Sequence, residues 1–379
     1  MSPNRAERAE RVTISDIARR LSISKASVSY ALNGRPGVSS ETRRKVLELA
    51  DQLGFQASSA AVALSASRSG TIGLVIARDA SVITAEAHHM RTLFGIEQYL
   101  NEADGSLLLR IIGERGEDLE VYRRWARQRR VDGFLLFDEF EEDPRIPLLA
   151  SLGMPGVVVT SRRAADSIGR LLTPEIETVR VFLDHLRALG HHRIAHISGP
   201  MRYVQERVRA DLLTAEGGSR GMVVTHLEGT YAYDSGAALT RRVLGGSHRP
   251  TAILAGNDIM AAAALRVAGE LGLRVPDDVS IIAWDDSLLC VVSQPRLTAM
   301  DHGPAEKARL ATDLLFQIID GSTHAHRASP VGTLLVREST GPAPAPSYRT
   351  FLLPSSRCCR FRAPDGSQGR NNVSLEAET

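Results

Sequence analysis

The stretch that decides the fold is Thr13-Ile14-Ser15-Asp16-Ile17-Ala18-Arg19-Arg20-Leu21-Ser22-Ile23-Ser24-Lys25-Ala26-Ser27-Val28-Ser29-Tyr30-Ala31-Leu32-Asn33. Thr13 with Asp16 three residues on reads as a capping box, and Ile14, Ile17, Ala18 and Leu21 follow at helical spacing. Ser22-Ile23 makes a turn. Ser24 then caps a second short helix whose apolar side is Val28, Ala31 and Leu32. Asn33-Gly34-Arg35-Pro36-Gly37 breaks the chain. Ser39 with Thr42 opens a third helix carrying Val46, Leu47, Ala50 and Leu53, and Gly54 ends it. Two helices about a tight turn have helix-turn-helix geometry, which places the second helix in the DNA major groove while the first crosses the backbone. Lys25, Ala26, Ser29 and Tyr30 are placed to meet base edges. Ser24, Ser27 and Asn33 suit phosphate or base hydrogen bonds. The plain alternative is a three-helix bundle with solvated polar faces.

Charge follows the same division. The 379 residues hold 46 Lys+Arg and 44 Asp+Glu, a net of only +2. Residues 1–70 carry 11 basic and 6 acidic side chains, residues 71–340 carry 30 and 35, and residues 341–379 carry 5 and 3. A basic head thus precedes a mildly acidic body, a pointer to nucleic-acid contact. The three cysteines, Cys290, Cys358 and Cys359, make no disulfide framework and fit a reducing cytoplasm. No signal peptide or long apolar span is visible, so no membrane association is expected.

The body alternates short apolar runs with helical patterns. Strands are expected at Ile72–Ala77, Leu107–Ile112, Gly133–Phe137, Gly156–Thr160, Arg193–Ile197, Met222–His226, Ala252–Ala255 and Val279–Trp284. Helices are expected to include Met90–Ala103, Leu119–Arg129, Glu177–Leu189, Ser235–Leu244 and Asp258–Leu271. Such alternation implies parallel sheets covered by helices on both faces, and two sheets suit about 270 residues better than one. The fold expected is an all-α helix-turn-helix headpiece (1–57), a hinge (58–70) and a two-lobed α/β body with two parallel sheets (71–342). Residues 343–379 lack periodicity and are expected to be a disordered tail.

The head closely resembles the headpiece of the lac/gal repressor (LacI/GalR) family in Val12–Ala18, Ser24–Gly34 and Val38–Arg43. The body resembles it in Thr71–Val75, Leu189–Ala195, Ser198-Gly199-Pro200, Pro250–Ile253 with Asn257-Asp258, and Gly272–Ser280. Trp284-Asp285-Asp286, Pro295–Thr298 and Leu334–Thr340 continue the match, in order, over about residues 11–342. Some positions depart: Ser22 stands where the turn usually has Gly, Phe55-Gln56-Ala57-Ser58 replaces Tyr-x-Pro-Asn, and Tyr30 stands where several relatives carry Arg or His. These bear on base preference rather than on the mode of binding.

The resemblance implies a periplasmic-binding-protein-like body and a cytoplasmic transcriptional regulator, a repressor, that binds a pseudo-palindromic operator as a homodimer. It implies a small effector, a sugar or sugar derivative, held between the lobes. Arg207, Tyr231, Asn257 and Asp285 stand where the family contacts its effector, with Glu177 and His302 as weaker candidates and Phe137 as a lining residue. Their chemistry suits a sugar: carboxylate, amide and guanidinium can each engage neighbouring hydroxyls, and a Tyr ring can stack on an apolar sugar face. Leu64 in the Ala/Ser-rich hinge Ser58–Ala66 matches the family's minor-groove wedge.

No Walker-type phosphate loop, HExxH, CxxC or GxSxG is present, so no enzyme and no cofactor are expected. The pairs His88-His89 and His191-His192 lack the Cys or carboxylate neighbours of a metal site and read as solvated or capping residues. The tail lacks leucine heptads, which favours a dimer over a tetramer. The alternative from another class is a solute (sugar) binding protein, which would share the body but not the basic head.

Overall fold

The structure, a computed structural model, describes residues 12–55, 68–78, 87–113, 117–164, 168–246, 248–322 and 326–345. Residues 58–67 of the expected hinge, Leu64 among them, and nearly all of the expected tail lie outside the described residues.

The head has three helices, α1 (Ile14–Leu21), α2 (Lys25–Leu32) and α3 (Ser40–Gln52). Asp16 Oδ2 accepts from both the backbone N–H and the hydroxyl of Thr13, at 2.9 and 2.6 Å, which fixes the first turn of α1. Ser24 Oγ accepts from the Ser27 N–H, and Ser39 Oγ from the Thr42 N–H. These caps satisfy N–H groups that a helix start leaves unpaired. Ile17, Ala18, Val28, Ala31, Val46 and Ala50 form a small closed core. Ser22 takes the left-handed conformation (φ 54°) that ends α1.

The body begins with β1 (Thr71–Ala77), α4 (Ala87–Glu102), β2 (Ser106–Ile112), α5 (Glu117–Arg127), β3 (Gly133–Leu136), α6 (Arg145–Ser151), β4 (Gly156–Thr160) and β5 (Gly169–Leu172). Then follow α7 (Glu175–Ala188), β6 (Arg193–Ser198), α8 (Val204–Ser219), β7 (Val223–Glu228), α9 (Tyr233–Leu244), β8 (Ala252–Ala255), α10 (Asp258–Glu270) and β9 (Ser280–Ala283). The last elements are α11 (Leu288–Val292), β10 (Thr298–Asp301), α12 (Pro304–Ile319), β11 (His326–Ala328) and β12 (Thr333–Leu335). Two six-stranded sheets result, ordered β11-β5-β4-β3-β1-β2 and β12-β10-β9-β8-β6-β7. Every pairing is parallel except β10 with β12, so the second sheet is mixed rather than wholly parallel as expected.

The chain crosses between the lobes three times: between β5 and α7, between β10 and α12, and between β11 and β12. Helix α12 thereby returns to the first lobe, where Ala308, Ala311, Leu314 and Leu315 share a core with Leu135 of β3, Val157 of β4 and Leu171 of β5 and the helix packs beside α4. Gly95 on α4 makes this packing possible, since a Cβ there would lie 1.9 Å from the Ala305 carbonyl oxygen. Helix α7 stays with the second lobe, where Phe182 meets Trp284. Neither α8 nor α12 was among the elements named from the sequence.

Candidate functional site

Two surfaces concern function. On the head, Lys25, Ala26 and Tyr30 are exposed along α2, and the Lys25 ammonium makes no ion pair among the described residues. Tyr30 is 41% exposed, with its ring edge against Gly37. The polar residues are more committed. Ser24 Oγ caps α2 and also bonds Ser27 Oγ at 2.9 Å. The Asn33 amide turns back to the carbonyl and hydroxyl of Ser29. These four side chains therefore fix the ends of α2, while Lys25, Ala26 and Tyr30 form its open surface.

The second surface is a cavity of about 160 Å³ between the lobes. Its wall collects residues just past the carboxyl ends of strands: Arg78 after β1, Phe137 and Asp138 after β3, Asn257 after β8, Asp285 after β9. That is where open parallel sheets hold ligands.

Tyr231 lines the cavity in a left-handed conformation (φ 66°), unusual for a side chain of this size. Asn257 Nδ2 donates to the Tyr231 carbonyl at 3.0 Å, and Asn257 Oδ1 accepts from the Met260 N–H at 2.8 Å, starting α10. The Tyr231 ring packs against Gly199, where a Cβ would meet it at 2.0 Å. The Ser198-Gly199-Pro200 segment thus has a physical reason for its glycine. From the other lobe, the Arg78 guanidinium sits 4.8 and 4.9 Å from the Tyr203 and Tyr231 rings.

Arg78 also pairs with Asp138 at 2.7 Å, and Gln205 of the second lobe donates to Asp138 Oδ1 at 3.0 Å. Burial alone would raise the Asp138 pKa, but the Arg78 charge and hydrogen bond outweigh it and draw it down to about 2. Asp285 lines the cavity opposite His88, 3.7 Å away. His88 and His89, read from the sequence as solvated or capping residues, both face the cavity. No group of three or more His, Cys, Asp and Glu able to hold a metal occurs among the described residues.

The candidates separate cleanly. The structure brings Tyr231, Asn257, Asp285 and Phe137 together on the cavity wall, but not Arg207, Glu177 or His302. Arg207 is exposed on α8 and lies 3.6 Å from Glu141. Glu177 is exposed on α7. Their places are taken by Arg209 and Glu175, two residues along in each helix, which line the cavity and pair with each other at 3.1 Å. Two residues are about 200° of helical turn, hence the opposite face. Arg209 also bonds Glu206 at 2.6 Å and lies 4.1 Å over the Trp284 ring. Glu206 in turn accepts from the Gly199 N–H. His302 is buried behind the wall, stacked on Trp284, with a ring nitrogen 2.9 Å from the Trp284 carbonyl. Burial holds its pKa well below the usual value, so the ring is neutral and structural.

A helix-turn-helix head joined to a two-lobed body with a ligand-sized cleft defines a class: DNA-binding regulators whose bodies hold a small-molecule site. Residues 13–58 match the family described as "Bacterial regulatory proteins, lacI family", and residues 183–340 match "Periplasmic binding protein-like domain". The chain is 31% identical over 346 residues to the HTH-type transcriptional regulator AglR of Rhizobium meliloti (strain 1021), covering 88% of this chain and 95% of that one. It is 30% identical over 342 residues to the HTH-type transcriptional regulator CelR of Thermobifida fusca, covering 88% and 99%. The solved complex of transcriptional regulator CelR with cellobiose superposes with a TM-score of 0.66 at 27% identity, covering 87% of this chain and 100% of that one. The chain belongs to the lacI family and is a helix-turn-helix, DNA-binding transcriptional regulator.

Proposed function

We propose that the protein is a repressor that binds a pseudo-palindromic operator as a homodimer and responds to a small carbohydrate effector in the cleft. It acts in the cytoplasm, by binding rather than by catalysis. The observation that carries this reading is the cleft wall itself. It puts aromatic faces (Tyr203, Tyr231, Phe137) beside fixed charges (Arg78, Asp138, Arg209, Asp285), the mixture a polyol requires. The cellobiose-bound relative supports the choice of ligand class.

Both lobes contribute to this wall, and Gln205–Asp138 and Arg91–Asp301 (3.0 Å) tie them together. A ligand that prefers one lobe arrangement therefore shifts the lobe equilibrium, and the hinge at 58–70 carries that shift to the head.

The dimer reading rests on an exposed apolar surface spanning both lobes: Met90 and Phe94 on α4, Ile111 on β2, and Leu288, Val291 and Val292 on α11. Arg91 of α4 reaches the Asp286 carbonyl, two residues before α11, at 3.4 Å, which brings α4 close to the start of α11. A patch of this kind suits a second copy in a two-fold arrangement.

Gel-shift assays with DNA upstream of its own and adjacent genes test the reading. A salt-sensitive shift by full-length protein is expected. Removing residues 1–66 is expected to abolish the shift while ligand binding persists. Absence of any shift at low salt refutes the regulator, and ligand binding alone would leave a solute-binding protein.

A further inference from the structure

The cations on the cleft wall are unequal. Arg78 has Asp138, Arg145 has Asp143 at 2.6 Å, and Arg209 has both Glu175 and Glu206. Lys307, near the start of α12, also lines the cavity, yet its ammonium makes no hydrogen bond or ion pair among the described residues. The carboxylates near it are engaged elsewhere. Glu175 is held by Arg209 and the Thr173 hydroxyl, Asp301 by Arg91, and Asp285 faces His88. The remaining charge near it, Arg209, repels it. Burial pushes its pKa below the usual lysine value. An ammonium taken from water without a partner destabilises the protein that holds it, and the buried residues that follow it on α12 are apolar (Ala308, Leu310, Ala311), while the charged neighbours are occupied or exposed, Arg309 by Glu102 and Glu306 at the surface.

We propose that Lys307 is the charge-reading residue of the cleft and that the effector carries an anionic group, making it a sugar acid or a sugar phosphate. This rests on the cleft being the effector site and narrows the class of effector. In the bound state the anion supplies the missing partner of Lys307, while Tyr231, Tyr203 and Phe137 cover the apolar faces of the carbon skeleton. The cleft then rejects the uncharged sugar by leaving the ammonium unpaired, a stronger discrimination than one lost hydroxyl contact.

The test uses the full chain, with thermal shift and calorimetry at constant ionic strength. The probes are D-glucuronate, D-glucose 6-phosphate and inorganic phosphate, against D-glucose. The expected result is stabilisation by an anionic probe, with affinity at least tenfold above that for D-glucose. Lys307→Met should remove that preference and Lys307→Arg should retain most of it. The unliganded Lys307→Met protein should melt at or above the wild-type temperature, because a half-buried charge without a partner has gone. Preference for the carboxylate or for the phosphate probes identifies which anion the site takes. The proposal is overturned if no anionic probe stabilises the wild type more than Lys307→Met. It is also overturned if unliganded Lys307→Met melts several degrees lower, which would make the lysine structural. A gel shift on the same preparations separates the two readings: DNA retardation without anion preference sinks only the role of Lys307, and anion preference without DNA retardation sinks only the repressor.

Discussion

Arg209→Ala against Arg207→Ala is the sharpest comparison the cleft offers, because the two arginines share a helix and differ only in phase. Arg209 is largely buried, its side chain 14% exposed, and joins Glu175 and Glu206 at 3.1 and 2.6 Å. Both carboxylates are under 9% exposed, and Glu206 is fully buried. Truncation leaves both without the cation that pairs them, with only the Lys307 ammonium near Glu175, and also removes the guanidinium from the Trp284 ring. Breaking a buried pair in this way costs about 3–5 kcal/mol. At about 2 °C per kcal/mol for a body of this size, the melting temperature should fall by about 6–10 °C. Arg207 is 54% exposed and 3.6 Å from an equally exposed Glu141, a surface contact of about 0–1 kcal/mol. Its loss should move the melting temperature by about 2 °C at most and leave effector binding intact. Differential scanning calorimetry, with ligand titration of each folded variant, measures both effects. Arg209→Met with Glu206→Gln should recover part of the loss, since an apolar side chain beside a neutral amide strands less charge. If Arg209→Ala melts within about 2 °C of wild type while Arg207→Ala abolishes the effector response, the assignment of the two faces of α8 is wrong.

Acidification should destabilise the body before carboxylates titrate. Burial, and then the neighbouring His226, depress His196 from 6.5 to about 3, so it stays neutral when folded and charges when unfolded. Its contribution is present above pH 6.5 and is lost as pH falls toward 3, at about 1.4 kcal/mol per pH unit. Urea unfolding at pH 7, 6 and 5 should show that slope in wild type and a shallower one in His196→Gln, and parallel slopes would count against it. Ser22→Gly should stabilise the head by about 0.5–1 kcal/mol, because glycine takes φ 54° without a Cβ penalty; a lower melting temperature for the isolated headpiece signal would contradict this. Gly199→Ala should displace the Tyr231 ring and weaken effector binding more than DNA binding, as calorimetry and gel shift would report. Leu64→Ala, outside the described residues, should weaken operator binding and leave effector affinity nearly intact, and an equal loss of both would refute a hinge role.

Why some site residues were legible in the sequence and others were not comes down to period and phase. Strand ends are marked by where an apolar run stops, which places Phe137 at the end of a strand; Asn257 and Asp285 come from the family resemblance, and the structure puts both on the cavity wall just past β8 and β9. Head residues were legible for a related reason: Ser24, Ser39 and Gly54 act within a turn of their own position, through caps and a left-handed stop. On a helix, a pocket residue is identified only once the buried face is known. Helix α8 carries Glu206, Arg207 and Arg209 within one turn, and α7 carries Glu175 and Glu177. Charged residues on the wall interrupt the apolar stripe that would have revealed the face, so spacing alone cannot choose between Arg207 and Arg209. What chooses is pairing across the lobe: Glu175 and Arg209 meet at 3.1 Å from different helices, a contact no local pattern encodes. Asn257 lies on the wall, where both ends of its amide hold the backbone, at Tyr231 and Met260, and so help keep Tyr231 at φ 66°. Lys307 escaped notice for the same reason as Arg209, with one difference. Arg209 is explained by its carboxylates, whereas Lys307 faces the cavity with its charge unanswered among the described residues, and that asymmetry is visible only once the other cations have been matched to their partners.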